Sequence, residues 1–193
     1  MISILDLGTG NIRSLENTLD LINVPYERIS SKDELKIAEK VVLPGNGAFD
    51  SIMGTLCKKD LTSLLKQRIL DGMPYLGICV GMQILFEGSD EGTSKGLSLI
   101  PSRIKRFENY NNYAHIGWET VISKNGKEIG EYYFMHEYRS DILEEEYQYL
   151  HCKFPKYFSC GVNIHNATGI QFHPEKSGSV GSEFLLNWCN YGL

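Results

Sequence analysis

The sequence lacks the cysteine patterns that form the disulfides of small secreted domains or that bind zinc. Its five cysteines, Cys57, Cys79, Cys152, Cys160 and Cys189, are odd in number and irregularly spaced, and no C-x-x-C occurs. A disulfide framework and a metal site are therefore not expected. This cysteine usage is typical of a protein of the reducing cytoplasm.

Long apolar runs and an excess of basic residues are also missing. No run reaches the roughly 20 residues that a membrane-spanning helix needs. A strand-like run follows Met1 with no basic segment and no small-residue cleavage site, so we expect no signal peptide. The net charge is −5, and a short basic cluster (Arg103, Lys105, Arg106) is interpreted as a solvated strand edge or a partner contact. A nucleic-acid-binding function, which normally requires a basic stripe, is not indicated.

Short apolar runs and helical patterns alternate over about the first ninety residues. Strands are predicted at 2–8, 26–30, 40–45 and 73–79, and helices at 10–24, at 51–72 as one or two segments, and at 80–89. Such alternation predicts a parallel sheet with helices on both faces.

Shorter, aromatic-rich strands follow, at 97–107, 115–123, 131–141, 147–154 and 158–174, and a helix at 182–192 closes the chain. We expect an α/β fold, an open, mostly parallel sheet flanked by helices with antiparallel additions. The 193 residues suit a single domain, 1–193.

The stretch G-x-C-x-G, with Cys79 between Gly77 and Gly81, joins the fourth strand to a helix. This is the cysteine version of a nucleophile elbow, in which glycines permit a tight turn and the nucleophile projects at the carboxyl end of the sheet. A helix start favours a thiolate and offers free N–H groups, including that of Val80, to an oxyanion. The alternative is a buried structural cysteine beside a helix start.

A nucleophilic cysteine needs a histidine, which in turn needs an orienting acceptor. His173 ends the apolar run "GIQF", and Glu175 follows two residues later. In an extended segment these two side chains point to the same side, so Glu175 can hold the ring. Of the other histidines, His151 and His165 are interpreted as structural or exposed, His115 as undecided between a structural and a functional role, and His136 as part of a substrate-side loop.

A second glycine-rich turn, "LPGNGAF" at 43–49, follows the third strand. Gly45 and Gly47 would let backbone N–H groups face a ligand, which makes this turn a candidate wall of an oxyanion hole. The alternative is a plain turn between strand and helix.

Taken in order, "PGNGAF", "GICVGMQ" and "FHPE" resemble the class I (triad) glutamine amidotransferases. Longer stretches, "DLGTGNIRS", "KGLSLIPSRIKRF", "HIGWE", "YYFMHEYR" and "GIQFHPEKS", resemble the branch of that family that forms glutaminase subunits of imidazole glycerol phosphate synthases. The resemblance covers nearly the whole chain.

The resemblance implies that glutamine is hydrolysed through a thioester and that the ammonia passes to a synthase partner, the cyclase subunit, in a heterodimer. It implies no metal or organic cofactor. Cys79 would be the nucleophile, His173 the base and acid, and Glu175 its orienter.

The remaining implied residues contact either substrate or partner. The implied oxyanion donors are the backbone N–H groups of Gly47 and Val80. The implied glutamine-binding residues are Gln83, Glu91 and the loop of His136, Glu137 and Tyr138. The implied partner contacts are Asn11, Ser14, Trp118 and Lys176. A rotation of the glycine-bracketed peptide at 45–47 would let the partner switch activity on.

Three residues depart from the pattern of the histidine pathway: Glu119, Glu137 and Asn46, where asparagine, serine or threonine, and valine are usual. The first two leave open a relative that supplies ammonia for sugar amidination in surface-polysaccharide synthesis. A catalytically silent regulatory subunit and a cysteine hydrolase on the same elbow are further alternatives.

Overall fold

A computed structural model describes residues 1–8, 12–45, 47–107, 114–153 and 157–192. This part of the chain contains twelve strands, which are β1 (Ile2–Leu5), β2 (Tyr26–Ile29), β3 (Val41–Leu43), β4 (Tyr75–Ile78), β5 (Phe86–Ser89), β6 (Ile100–Arg106), β7 (His115–Ser123), β8 (Glu128–His136), β9 (Tyr138–Arg139), β10 (Gln148–Cys152), β11 (Phe158–Ile164) and β12 (Ala167–Ile170). Its α-helices are α1 (Ile12–Leu21), α2 (Lys32–Ile37), α3 (Phe49–Lys58), α4 (Thr62–Leu70), α5 (Val80–Gln83) and α6 (Gly178–Tyr191), and a 3₁₀ helix covers Pro174–Lys176.

Nine strands form one sheet in the order β2-β1-β3-β4-β12-β11-β10-β7-β8. The pairs from β2 to β12 are parallel, and those from β12 to β8 are antiparallel. The predicted α/β fold with antiparallel additions is therefore confirmed. The central pair β4 and β12 decides the site, because Ile78 is in register with Ile170 and both strands end at the same edge.

A second, three-stranded sheet of β5, β6 and β9 corrects two expectations. The helix predicted at 80–89 is a single turn, α5, and Phe86–Ser89 instead forms β5 against β6. The segment 97–107 was expected to extend the main sheet, but β6 pairs with β5 and β9 instead. Both differences arise from pairing between distant segments, which local patterns do not reveal.

The helices bury the apolar faces that their spacing indicates. On α1 these are Ile12, Leu15 and Leu19, and on α6 Phe184 and Trp188 are buried against the sheet. Helix α2 was not predicted, although Ser31 and Glu34 form a capping box at its start. Among the described residues, no helix is both long and apolar enough to cross a membrane.

Candidate active site

Cys79 occupies a strained turn between β4 and α5. Its φ of 53° and ψ of −109° are unusual for a residue with a side chain, and its N–H donates to the carbonyl oxygen of Ile170 on β12 (2.7 Å). A side chain at Gly77 would collide with the carbonyl oxygen of Gly81, which explains the glycines of the elbow. Since α5 has only four residues, its dipole contributes little, and Val80 is its first residue.

His173 lies just beyond β12, fully buried, with Glu175 against its ring. Nδ1 of His173 and Oε1 of Glu175 are 2.8 Å apart, and Glu175 belongs to the 3₁₀ helix. The predicted contact is therefore present, but the expected reason is wrong, because a 3₁₀ turn and not an extended segment brings the carboxylate back. The backbone N–H of His173 donates to the carbonyl of Tyr133 on β8 (2.9 Å) and Ser177 Oγ donates to the carbonyl of His173 (2.6 Å), which fixes the ring's position.

The remaining nitrogen of His173, Nε2, is the one available to Cys79. Within the described residues no hydrogen bond of ordinary geometry reaches this buried nitrogen. Burial lowers the pKa of His173, but interactions with Cys79 and Glu175 outweigh burial and raise it to about 10. At neutral pH the ring is therefore a cation beside the sulfur, ready to donate a proton.

A cavity of about 330 Å³ opens in front of Cys79. Its size suits a small amino acid rather than a peptide. It is lined by Cys79 and by every residue expected to bind glutamine or its oxyanion: Gly47, Val80, Gln83, Glu91, His136, Glu137 and Tyr138. The rest of the lining is Gly45, of the second glycine-rich turn, and three residues that sequence reasoning did not assign: Ala114, Ile116 and Met135. His173 and Glu175 do not line the cavity, and Glu175, like His173, is nearly inaccessible to solvent.

Glu91 is held at the cavity by the start of α3. Its Oε2 accepts a hydrogen bond from the N–H of Phe49 (2.8 Å), the first residue of that helix. Asp50 in turn accepts hydrogen bonds from the N–H groups of Thr93 (3.0 Å) and Ser94 (2.9 Å). These bonds across about forty residues of sequence place a carboxylate, complementary to an amino group, on the cavity wall.

Gln171 is a buried neighbour of Cys79 that sequence reasoning missed. Its Nε2 lies 3.5 Å from the sulfur of Cys79, and its Oε1 accepts a hydrogen bond from Gln83 Nε2 (3.1 Å). The alternation of an extended segment, which places Gln171 on the same side as His173, was the signal that could have found it.

His115 and His136 form a buried pair across β7 and β8. Nδ1 of His115 and Nε2 of His136 are 2.9 Å apart, and Nδ1 of His136 lies 2.8 Å from the carbonyl oxygen of Tyr138. Because that carbonyl can only accept, His136 donates from Nδ1 and accepts from His115. Burial lowers the pKa of His115 to about 4, and burial together with His115 lowers that of His136 to about 3. His115, left undecided by the sequence, therefore supports the segment that lines the cavity.

The two unusual acidic residues have contacts within the chain. Glu119 lies 3.6 Å from Nε2 of His115, and burial raises the pKa of its carboxyl. Glu137 pairs with Arg106 at 3.5 Å. Lys105 pairs with Asp141 at 2.6 Å. The basic cluster therefore lies on β6, where its side chains are exposed to solvent and also form ion pairs with acidic residues of the same chain. The third departure, Asn46, lies outside the described residues.

The expected partner residues fall on and near one exposed patch. Trp118, 52% exposed, and Lys176 both contact the ring of Tyr133, at 5.9 and 6.0 Å. Ile116, two residues before Trp118 on β7, is 60% exposed and also lines the cavity. Ser14 is half-buried on α1, which packs beside the 3₁₀ helix, and Asn11 lies outside the described residues.

Metal ligands are not grouped in the described part of the chain: no three histidine, cysteine, aspartate or glutamate side chains there could hold an ion together.

Known proteins that resemble this chain include members of one family. A family model described as "Glutamine amidotransferase class-I" matches residues 4–190. The "Imidazole glycerol phosphate synthase subunit HisH" of Prochlorococcus marinus (strain NATL2A) is 38% identical, over 98% of this chain and 96% of that protein. The subunit of the same name from Picrophilus torridus is also 38% identical, over 97% and 98% of the two chains.

Solved structures agree on the fold. "Crystal structure of glutamine amidotransferase" has a TM-score of 0.79 at 14% identity and covers 97% of each chain. "Structure of PurLQS from Thermotoga maritima" has a TM-score of 0.78 at 16% identity, covering 98% of this chain and 97% of that one. The family match over nearly the whole length and the close relatives confirm the resemblance, and the chain belongs to the class I glutamine amidotransferases.

Proposed function

We propose that this chain is the glutaminase subunit of an imidazole glycerol phosphate synthase, acting in histidine biosynthesis. The observation that carries the proposal is Cys79 on a strained turn, facing a cavity of amino-acid size, with the His173–Glu175 pair behind it. The pathway is taken from the relatives that share 34–39% identity with the chain over nearly its full length.

The proposed reaction begins with the sulfur of Cys79 attacking the side-chain carboxamide carbon of glutamine. The tetrahedral intermediate collapses as Nε2 of His173 gives its proton to the leaving nitrogen, which departs as ammonia and leaves a γ-glutamyl thioester. The neutral ring then takes a proton from water, whose oxygen attacks the thioester and releases glutamate. Glu175 keeps the ring oriented and favours its charged form, which agrees with the raised pKa of His173.

Substrate recognition is assigned to the cavity walls. Glu91 offers a carboxylate to the α-amino group, and Gln83 lines the same cavity. The segment of His136, Glu137 and Tyr138 offers backbone groups to the amino-acid end.

The oxyanion of the intermediate is assigned to the N–H groups of Val80 and Gly47. Gly47 has a φ of 127°, a conformation that other residues rarely adopt. Its N–H belongs to the peptide that it shares with Asn46, and a rotation of that peptide is the proposed switch between low and high activity. One oxyanion donor is worth roughly 10²–10³-fold in rate.

Ammonia is proposed to pass to a cyclase subunit docked on the patch of Ile116, Trp118, Tyr133 and Lys176. Two large apolar side chains exposed on one face of β7 beside the cavity support this placement. The five free cysteines support a location in the reducing cytoplasm.

Glutamate release from glutamine tests the proposal, with the chain alone and with its cyclase partner plus nucleotide ligand. We expect a low rate alone, strong stimulation by the partner, and loss of both in Cys79→Ala. Cys57→Ala, at an exposed cysteine of α3, is the matched control and should keep the wild-type rate. A Cys79-dependent rate that the cyclase does not stimulate would keep the glutaminase and move the acceptor to sugar amidination.

A further inference from the structure

Gln171 has a side-chain N–H group within hydrogen-bond distance of the sulfur of Cys79. It is fully buried, and its Nε2 lies 3.5 Å from the sulfur of Cys79, an ordinary N–H···S separation. It lies two residues before His173, so β12 and its extension deliver both side chains to the same sulfur. A buried carboxamide is expensive unless its polar atoms are satisfied, which indicates that the position is built for a hydrogen bond.

A backbone carbonyl fixes which atom of Gln171 faces the sulfur. The carbonyl oxygen of Tyr138 can only accept, so the amide group of Gln83 must place Nε2 toward it (3.3 Å). The same Nε2 donates to Gln171 at 3.1 Å, which requires Oε1 of Gln171 at that end. The N–H₂ of Gln171 is therefore left to face Cys79. A flipped amide would put an oxygen against the sulfur and two donors against each other.

The other end of this chain of hydrogen bonds is an unsatisfied acceptor on Gln83, a residue of the cavity wall. Oε1 of Gln83 is buried and has no hydrogen-bond partner among the described residues, while Gln83 lines the cavity. Gln83 would hold Gln171, and Gln171 would hold the sulfur.

We propose that Gln171 is a positioning residue that hydrogen-bonds the Cys79 thiolate, with its amide orientation set by Gln83 and the carbonyl of Tyr138. This inference rests on the proposed role of Cys79.

The test is the rate of Cys79 alkylation by iodoacetamide as a function of pH, mapped by mass spectrometry on the full-length chain. Gln171→Met keeps the length of the side chain and removes its N–H donors. A hydrogen bond to a charged group corresponds to a shift of about one to two pH units, so the midpoint of the alkylation profile should rise by that amount. Exposed Cys57 provides an internal reference in the same samples.

Two further variants separate positioning from packing. Gln67→Met makes the same chemical change on an exposed face of α4 and should leave the Cys79 profile unchanged. Gln83→Met should raise the midpoint by a smaller amount, and the double variant should add nothing to the shift of Gln171→Met. A residue that only fills space would lower the melting temperature without moving the midpoint.

An unchanged midpoint in folded Gln171→Met overturns the inference. If that variant does not fold, an unchanged midpoint in Gln83→Met overturns it instead. Glutamine hydrolysis by Cys79→Ala would overturn the proposed nucleophile itself, whereas an inactive Cys79→Ala with unmoved alkylation profiles would overturn only the role of Gln171.

Discussion

Lowering the pH from 7 to 5 should destabilise the folded chain by about 3 kcal/mol, because His115 and His136 stay neutral in the fold. Their pKa values are lowered from 6.5 to about 4 and about 3, chiefly by burial, so the unfolded chain gains protons below pH 6.5 and the folded chain does not. Each histidine then removes about 2 kcal/mol at pH 5. Glu119, 3.6 Å from His115, favours the charged form of that ring, but the effect of burial is larger and lowers its pKa. The positive charge of Arg139 adds to the effect of burial in lowering the pKa of His136.

His173 has the opposite effect on the pH dependence of stability. Its pKa is raised to about 10, so its stabilising contribution is complete below pH 6.5 and is lost as the pH rises toward 10. Between pH 7 and 5 it returns less than about 1 kcal/mol, which leaves the net loss given above.

Urea unfolding at pH 7, 6 and 5, followed by the fluorescence of buried Trp188, measures this loss. In His115→Asn, an amide N–H replaces the Nδ1–H donor without titrating, so about 2 of the 3 kcal/mol, roughly two thirds of the loss, should disappear. His165→Asn, at an exposed turn position with a φ of 52° that asparagine tolerates, is the control and should lose as much as the wild type. Wild-type stability that stays constant from pH 7 to 5, or a full loss in His115→Asn, would refute the reasoning.

Three further predictions concern the glycines and the exposed patch. In Gly47→Ala the new methyl group meets no atom of the described residues within 4 Å, but a φ of 127° is forced on alanine. We expect kcat for glutamine hydrolysis to fall by roughly 10²-fold, more than a loss of melting temperature from the backbone strain would explain, and a wild-type kcat would contradict the role of Gly47. Gly54→Ala, in open space within α3, should raise the free energy of unfolding in urea by about 0.5–1 kcal/mol. Gly77→Ala, whose methyl group collides with the backbone of Gly81, should lower it by about 3 kcal/mol or more. Equal effects of the two substitutions would argue against the packing of the elbow. Trp118→Ala should weaken binding of the cyclase partner by about tenfold or more in calorimetry, and unaltered affinity would move the interface elsewhere.

Strands β1 and β3 of the parallel half could be predicted because each is a short apolar run closed by glycine or proline. The consecutive apolar residues Ile84, Leu85 and Phe86 fit a helix or a buried strand equally well, and only pairing with Ile100 decides that Phe86 begins a strand. The second sheet was missed for the same reason, since β6 and β9 meet through contacts between distant segments.

The candidate triad could be read from local motifs because Cys79 ends one strand and His173 follows another. The two strands turn out to be parallel neighbours, which sequence patterns alone did not establish. The His115–His136 pair was missed because it depends on the register of β7 against β8. Gln171 was missed because its partner, Gln83, lies 88 residues away.

The central claim is that Cys79 carries the glutamyl group during turnover. Acid-quenching the chain and its cyclase partner in the presence of glutamine, followed by peptide mass spectrometry, tests this directly. We predict a glutamyl adduct on the peptide that contains Cys79, with neither adduct nor glutamate release in Cys79→Ala. Glutamate release by Cys79→Ala at the wild-type rate, or an adduct on a different cysteine, would contradict the account.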